Sequence, residues 1–326
     1  ERSEEKYRTL FNSIDEGFCT IEVLFDEQGE AVDYRFLETN PAFLRHTGLD
    51  NVVGKRVREY LPDHEEVWFK TYGYIAQTGK AKRFEHAAAA LEKFYDVYAF
   101  RVGLPGKKRV AIIFNDISER KRAETALKWS ASRDELLSHT AARLLESEDP
   151  QNLINSLCEN VMAFLDCQVF FNFLASKDEK RLHLNAYGGI TEAQANTIEW
   201  LGLGGSVCGC VAQDPHPNVT ENIALSCDAR AELVRSCGVQ AYCCHPLLVQ
   251  GEMIGTLSFG TMTRSRFNVE EVSVMRAVAN LVAIALHRIE TQQALRESEE
   301  HFANFMQRLP GLAWIKDVQG HYVYAN

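Results

Sequence analysis

The sequence predicts an α+β chain of two domains, each built on a sheet flanked by helices and joined to the next segment by a long helix. Three observations predict it. Short β-prone runs are broken by glycine-containing turns, charged helical stretches free of Pro and Gly separate the runs, and a repeat brackets the chain. In that repeat, Arg2-Ser3-Glu4-Glu5-Lys6-Tyr7 is echoed by Glu297-Ser298-Glu299-Glu300-His301-Phe302. At 326 residues the chain is too long for one ordinary core and suggests two domains of roughly 100 to 200 residues.

Each copy of the repeat leads into an amphipathic helix (Tyr7, Leu10, Phe11, Ile14; then Phe302, Phe305, Met306, Leu309), followed by strand and turn. The turns are Asp26-Glu27-Gln28-Gly29 and Asp317-Val318-Gln319-Gly320, where Gly supplies the positive φ a tight hairpin wants. The second copy stops at Asn326, where the first continues Asn40-Pro41-Ala42-Phe43, so the chain is expected to be part of a longer protein.

Between the copies, strands are predicted at Phe18 to Phe25 and Val32 to Leu37. A helix follows at Pro41 to Thr47, where a first-turn Pro loses no needed hydrogen bond. Two alternating strands, Lys93 to Val102 and Arg109 to Asn115, flank the turn Gly103-Leu104-Pro105-Gly106. In the first, Phe94, Asp96, Tyr98 and Phe100 share one face and Tyr95, Val97, Ala99 and Arg101 the other. Both faces carry bulk, so burial on both is expected. A helical connector then runs from Ser118 through Leu127, Trp129 and Leu136.

The second unit opens with helices at Asp134 to Leu145 and Gln151 to Leu165, the latter behind the start signal Asp149-Pro150. Strands are predicted at Gln168 to Leu174, Arg181 to Tyr187, Ala241 to Val249 and Met253 to Thr261. A final helix begins near Val269, with Val274, Val278, Leu281, Ile284, Ala285 and Ile289 as its apolar stripe, and continues through Gln292 and Leu295 into the repeat.

The charge balance excludes one class of partner. Lys and Arg number 35 against 45 Asp and Glu, a net charge of −10, so no broad attraction to phosphate backbones or anionic lipid is expected. No apolar run approaches the roughly 20 residues that cross a bilayer, and the charged N-terminus is no signal peptide. Nine scattered cysteines lack the pattern of a secreted disulfide framework, which points to a reducing cytoplasm.

Asn40-Pro41-Ala42-Phe43, Gly48 and Phe114-Asn115-Asp116-Ile117-Ser118-Glu119-Arg120 together resemble a PAS domain, over about residues 2 to 125. The resemblance implies a five-stranded antiparallel sheet with helices on one face, often around a small-molecule pocket, and an Asp116–Arg120 salt bridge that couples the sheet to the outgoing helix. The second unit is similar to GAF domains over about residues 133 to 289. The similarity is carried by Gly205-Ser206-Val207-Cys208-Gly209-Cys210-Val211-Ala212, Leu233-Val234-Arg235-Ser236-Cys237-Gly238-Val239 and Pro246-Leu247-Leu248-Val249 running into Gly251-Glu252-Met253-Ile254-Gly255-Thr256-Leu257. It implies a six-stranded antiparallel sheet with helices on both sides, dimerisation along terminal helices, and ligands from cyclic nucleotides to haem or none. The chain then divides into a PAS domain with its exit motif (1–122), a helical linker (123–133), a GAF domain (134–289), and a helical linker opening a second, truncated PAS domain (290–326).

Phe18, Phe36, Phe43, Trp68, Tyr95 and Tyr98 are the candidates to line a pocket in the first domain, with simple core packing as the alternative. In the second, Cys208, Cys210, Cys244 and His245 are the candidate ligand contacts. Thiolates and imidazole suit zinc or iron-sulfur centres, but Cys208-Gly209-Cys210 is shorter than the usual Cys-x₂₋₄-Cys spacing and adjacent Cys243 and Cys244 point to opposite faces of a strand. Small buried cysteines are therefore favoured over a metal, and redox sensing stays open. Haem would have His183 or His245 as candidate axial ligands. Covalent bilin is disfavoured, because Ala229-Arg230 stands where such GAF domains place their attachment Cys-His pair. Phe267-Asn268-Val269-Glu270-Glu271 matches a cyclic-nucleotide pattern only in part.

No P-loop, nucleotide lid, cyclase signature or phosphoacceptor histidine is present, and His64-Glu65-Glu66 reads as a solvated turn. No catalytic residue is expected. The chain reads as a sensory input region, without nucleic-acid or membrane contacts. It would relay a small-molecule or redox signal through its interdomain helices, as a homodimer, to a histidine kinase domain of the parent protein. A diguanylate cyclase output and a ligand-free spacer are the alternatives.

Overall fold

The computed structural model describes residues 2–146, 150–176, 180–308, 311 and 313–325. Two compact units, Glu1–Ser130 and Ala131–Asn326, divide the chain.

The first unit runs α1 (Arg2–Ser13), β1 (Gly17–Phe25), β2 (Ala31–Thr39), α2 (Pro41–Thr47), α3 (Glu66–Thr78), β3 (Lys82–Ala88), β4 (Lys93–Val102), β5 (Arg109–Asp116) and the start of α4 (Ser118–Glu146). Its five strands are all antiparallel in the order β2-β1-β5-β4-β3. Asn40 caps α2 with its side chain accepting from the Phe43 N–H at 2.9 Å, and the same amide reaches the Phe18 N–H and the Glu16 carbonyl. One residue thus fixes the helix start and its distance from β1, which places Phe43 over the sheet.

Burial on β4 is one-sided, against the expectation of two bulky buried faces. Tyr95 is 4 % exposed, and Val97 and Ala99 are buried with it, while Phe94 at 43 % and Tyr98 at 42 % face outward. Helices α2 and α3 cover only one face, so the strand's alternation decides which aromatics meet the core.

The second unit continues along α4 and adds α5 (Pro150–Leu165), β6 (Val169–Ala175), β7 (Arg181–Gly188), α6 (Glu192–Thr197), β8 (Trp200–Gly202), α7 (Val207–Gln213), β9 (Asn218–Thr220), α8 (Glu232–Ser236), β10 (Ala241–Val249), β11 (Glu252–Thr261) and α9 (Val269–Arg308). Six antiparallel strands lie in the order β8-β7-β6-β11-β10-β9. The α+β class with sheets of five and six strands is the one the sequence predicts. Asp149, half of the start signal for α5, lies outside the described residues.

Helix α9 starts on a reciprocal cap. The Glu271 N–H donates to Asn268 Oδ1 and the Asn268 N–H to Glu271 Oε2, both at 2.8 Å. Glu271 of the acidic pair after Phe267 is therefore occupied as a helix cap. The buried side of α9 is Val274, Val278, Val282 and Ala285 flanked by Met275, Ala279, Ala283 and Leu286, whereas Ile284 from the predicted stripe is 58 % exposed. Lys128 and Gln292 both lie within helices.

After α9, β12 (Trp314–Lys316) and β13 (Tyr322–Ala325) pair as a hairpin that repeats the first turn bond for bond. Asp26 Oδ1 accepts from the N–H groups of Gln28 and Glu30, and Asp317 Oδ1 from those of Gln319 and His321, all within 2.8 to 3.0 Å. Gly29 and Gly320 sit at φ of +85° and +88°, where a side chain would be strained. No helix among the described residues is long and apolar enough to cross a membrane.

Candidate functional site

The first unit has a partly open cavity of about 60 Å³ between its sheet and helices α2 and α3. Cys19 from β1, Tyr34 and Phe36 from β2, Phe43 from α2, Trp68 and Tyr72 from α3, and Tyr95, Val97 and Phe114 from β4 and β5 line it, with His64 in the turn before α3. The aromatics meet edge to face, with Tyr34–Phe36 centroids 5.4 Å apart and Phe36–Phe43 also 5.4 Å, so rigid ring packing shapes the walls.

Two polar groups break that apolar wall. Tyr34 Oη lies 3.1 Å from His64 Nε2, and His64 stacks on Trp68 with ring planes 5° apart. Burial lowers the His64 pKa to about 4, and burial pushes the Tyr34 hydroxyl well above its usual range, so both are neutral near pH 7. The consistent arrangement has the Tyr34 O–H donating to Nε2 and the His64 proton on Nδ1, which lies 3.4 Å from Glu65 Oε2 without the alignment of a hydrogen bond. Such a site offers a small neutral molecule an apolar wall and one hydrogen-bonding pair, with no fixed charge.

At the exit of this unit, Asp116 Oδ2 pairs with Lys93 Nζ at 3.0 Å, and Asp116 Oδ1 accepts from the Ser118 N–H and O–H at 3.0 and 2.5 Å. Arg120 pairs with Glu85 Oε1 at 2.6 Å, as does Lys121 with Glu85 Oε2. Both acids are on strands and all their partners but Lys93 open α4, so the strand-to-helix contacts run through other partners than expected.

In the second unit, β10 presents alternate residues to opposite faces, as the sequence implied for Cys243 and Cys244. Tyr242 and Cys244 face α7, where Cys208 Sγ lies 3.2 Å from Tyr242 Oη and 3.7 Å from Cys244 Sγ. Tyr242 donates on to Ser258 Oγ at 2.6 Å, and Ser258 to the Phe171 carbonyl at 3.0 Å. All of these side chains are buried. A cavity of only about 10 Å³ lies beside Cys208, lined also by Phe173, Ser206, Arg230 and Leu233, which is room for about one water.

Comparison with known proteins places names on these two units. A family model described as a PAS domain matches residues 5–78, and one described as a GAF domain matches residues 147–287. The chain carries a PAS domain and a GAF domain. A curated relative, the methyl sulfide methyltransferase-associated sensor of Methanosarcina acetivorans, is 24% identical over 213 residues, which is 64% of this chain and 21% of the relative. The match thus spans about a fifth of that protein's length. Among solved structures, the GAF domain of a Coxiella burnetii phosphoenolpyruvate-protein phosphotransferase is 17% identical, with 50% of this chain and 96% of that chain covered at a TM-score of 0.44. The free methionine-R-sulfoxide reductase of Neisseria meningitidis is 15% identical, with 50% and 92% covered at a TM-score of 0.43. Two domains of generally sensory families and a sensor-named relative support a sensory signalling input region.

Of the pocket residues read from sequence, Phe36, Phe43, Trp68 and Tyr95 line the PAS cavity. Tyr98 does not, because its strand parity sends it outward, and Phe18 instead packs on Phe11 of α1 with centroids 5.2 Å apart. The Asp116–Arg120 bridge is replaced by the Lys93 and Glu85 pairs. His64, read as part of a solvated turn, is buried in the cavity wall. Tyr34 and Tyr72 went unread, although Tyr34 stands two positions before Phe36 and so on the same strand face.

In the GAF domain the four candidates do not converge. Cys208 and Cys244 meet, Cys210 turns away to donate to the Gly204 carbonyl at 3.3 Å, and His245 lies on the opposite face with Nδ1 3.6 Å from Cys243 Sγ. Among the described residues, no group of three or more His, Cys, Asp or Glu could hold a metal ion.

Proposed function

We propose that this chain is the sensory input region of a signalling protein, in which a small neutral molecule enters the PAS cavity and shifts the packing of its sheet. The cavity carries the reading: it is walled by packed aromatics and holds a neutral hydrogen-bonded pair, Tyr34 and His64. At about 60 Å³ it is far below the roughly 300 to 1,000 Å³ of sites for drug-sized ligands, so the ligand is a molecule of a few heavy atoms. Haem and flavin are too large for it.

The shift leaves through the Asp116 and Glu85 contacts at the start of α4, and α9 carries the GAF domain's state onward. Relay requires only that the ligand bind the two packings unequally. A cytoplasmic homodimer that pairs α4 and α9 with their counterparts would pass this to a histidine kinase domain of the parent protein. The PAS and GAF domains and the sensor-named relative support a sensory input region, and the same relay would serve a diguanylate cyclase output.

Two-dimensional NMR of the chain titrated with 2-propanol tests the site. Shifts should concentrate on Tyr34, His64 and Trp68 and disappear in a cavity-filling Cys19→Leu variant. Shifts scattered over surface residues, or unchanged by that substitution, would refute the pocket.

A further inference from the structure

We propose that Cys208 and Cys244 form a redox-active dithiol in the GAF core, oxidised to a disulfide by small hydroperoxides and restored by thiol reductants. This goes beyond the PAS cavity reading and does not depend on it.

The geometry is that of a pair poised to join. The two sulfurs lie 3.7 Å apart, against about 2.05 Å in a disulfide, so modest side-chain rotation closes the gap. Cys208 is on α7 and Cys244 on β10, and the bond would tie helix to sheet across 36 residues of chain. The neighbouring cysteines are differently placed. Cys243 faces away toward His245, and Cys210 is held by the Gly204 carbonyl.

The surroundings of Cys208 also suit ionisation, which the chemistry needs, because the thiolate is the attacking form. Hydrogen bonding from the Cys244 thiol, opposed by burial and supported by the Tyr242 hydroxyl, holds the Cys208 thiol below its ordinary range. Burial instead pushes Cys167 and Cys243 up to about 12. Tyr242 can turn its O–H to a Cys208 thiolate, and Ser258 keeps the Phe171 carbonyl as its acceptor. The small cavity beside Ser206 and Arg230 reaches Cys208 with room for about one water, so slight opening of its walls admits hydrogen peroxide and leaves larger oxidants outside.

The steps balance. Cys208 thiolate attacks one peroxide oxygen, the O–O bond breaks, and the departing hydroxide takes a proton to leave as water, with Cys208 now a sulfenic acid. Cys244 sulfur then attacks Cys208 sulfur, the S–O bond breaks, and the Cys244 proton leaves with that oxygen as a second water. Two thiols are oxidised and one peroxide is reduced to two waters.

The experiment is peroxide treatment of the folded chain, followed by alkylation in denaturant, proteolysis and mass spectrometry. A linked Cys208–Cys244 fragment, two hydrogens lighter than the free pair and abolished by reductant, is expected. In Cys244→Ser, which keeps a donor to Cys208 but removes the resolving sulfur, Cys208 should run on to the sulfinic acid instead. Recovery of both as free thiols at a dose that oxidises the exposed Cys227, or pairing of Cys208 with Cys210 or Cys227, overturns the proposal. Because the mapping is done on the unsubstituted chain, a variant that misfolds does not rescue it.

Discussion

Tyr34 Oη and His64 Nε2 stand 3.1 Å apart inside the PAS cavity, and this contact joins β2 to the turn that starts α3 across 30 residues of chain. Tyr34→Phe removes the donor and leaves Nε2 buried without a partner, at a cost of about 1 to 3 kcal/mol. Native-state hydrogen exchange should show that loss in the β1 and β2 amides. An unchanged exchange pattern would mean that water replaces the hydroxyl at no cost.

The same histidine makes stability depend on pH. Burial lowers His64 to about 4, with the Arg58 charge adding to burial and the Glu65 and Asp33 carboxylates opposing it, and burial with Arg276 brings His245 to about 4 in the GAF domain. An unfolded histidine titrates near pH 6.5, so between there and about pH 4 the unfolded chain binds protons that the folded chain refuses. Stability is full above about 6.5 and falls as the pH drops toward 4, by on the order of 3 kcal/mol for each residue. His64→Gln should flatten the PAS part of that decline. NMR titration of the ring protons checks the premise, since neither residue should titrate between pH 5 and 8.

The exit of the PAS domain allows a sharper distinction between two wirings. A double-mutant cycle on Glu85 and Arg120, which pair at 2.6 Å, should give a small favourable coupling, as expected for a solvent-exposed ion pair. The cycle on Asp116 and Arg120 should give a coupling near zero. A large value for the second would restore the bridge that the family resemblance implied.

That exchange of partners shows where sequence reading ends. Alternation along β4 predicts which residues share a face, and the PAS resemblance implies helices on one face of the sheet, but neither says which face of β4 they cover, so Tyr95 is not separated from Tyr98. Strand β3, which supplies Glu85, has no long apolar run to announce it: Lys82-Arg83-Phe84-Glu85-His86 is mostly polar because the strand lies at the edge of the sheet. His64 was unreadable for a related reason. Two acids follow it, yet the turn before α3 aims the imidazole inward while Glu66 stays at the surface. The opposed directions of Cys243 and Cys244 followed from strand parity, whereas the meeting of Cys208 with Cys244 depends on where α7 docks on the sheet.

Gly209 explains the tight Cys-Gly-Cys sequence without a metal. A Cβ at that position would stand 2.4 Å from the Gly202 carbonyl oxygen and 3.1 Å from the Gly204 N. Backbone atoms cannot swing aside as a side chain can, so Gly209→Ala should displace α7 and cost about 1 to 3 kcal/mol. Urea denaturation followed at β10 and β11 amide signals would register it. A neutral result would place slack between α7 and the Gly202 to Gly204 segment.

The proposed dimer has its own test in residues that each domain leaves unburied. Leu127 on α4 is 72 % exposed and Ile284 on α9 is 58 % exposed. Neither packs into its own domain's core, so Leu127→Glu and Ile284→Glu should leave folding intact, with circular dichroism and melting little changed. If α4 and α9 pair with their counterparts, burying a charge at either position should shift a dimer toward monomer by about tenfold or more in dissociation constant, since an unpaired buried charge costs several kcal/mol. Sedimentation velocity on the chain and both variants measures it. A monomer at high concentration before any substitution, or a dimer indifferent to both, would remove helix pairing as the route by which either domain's state reaches the output.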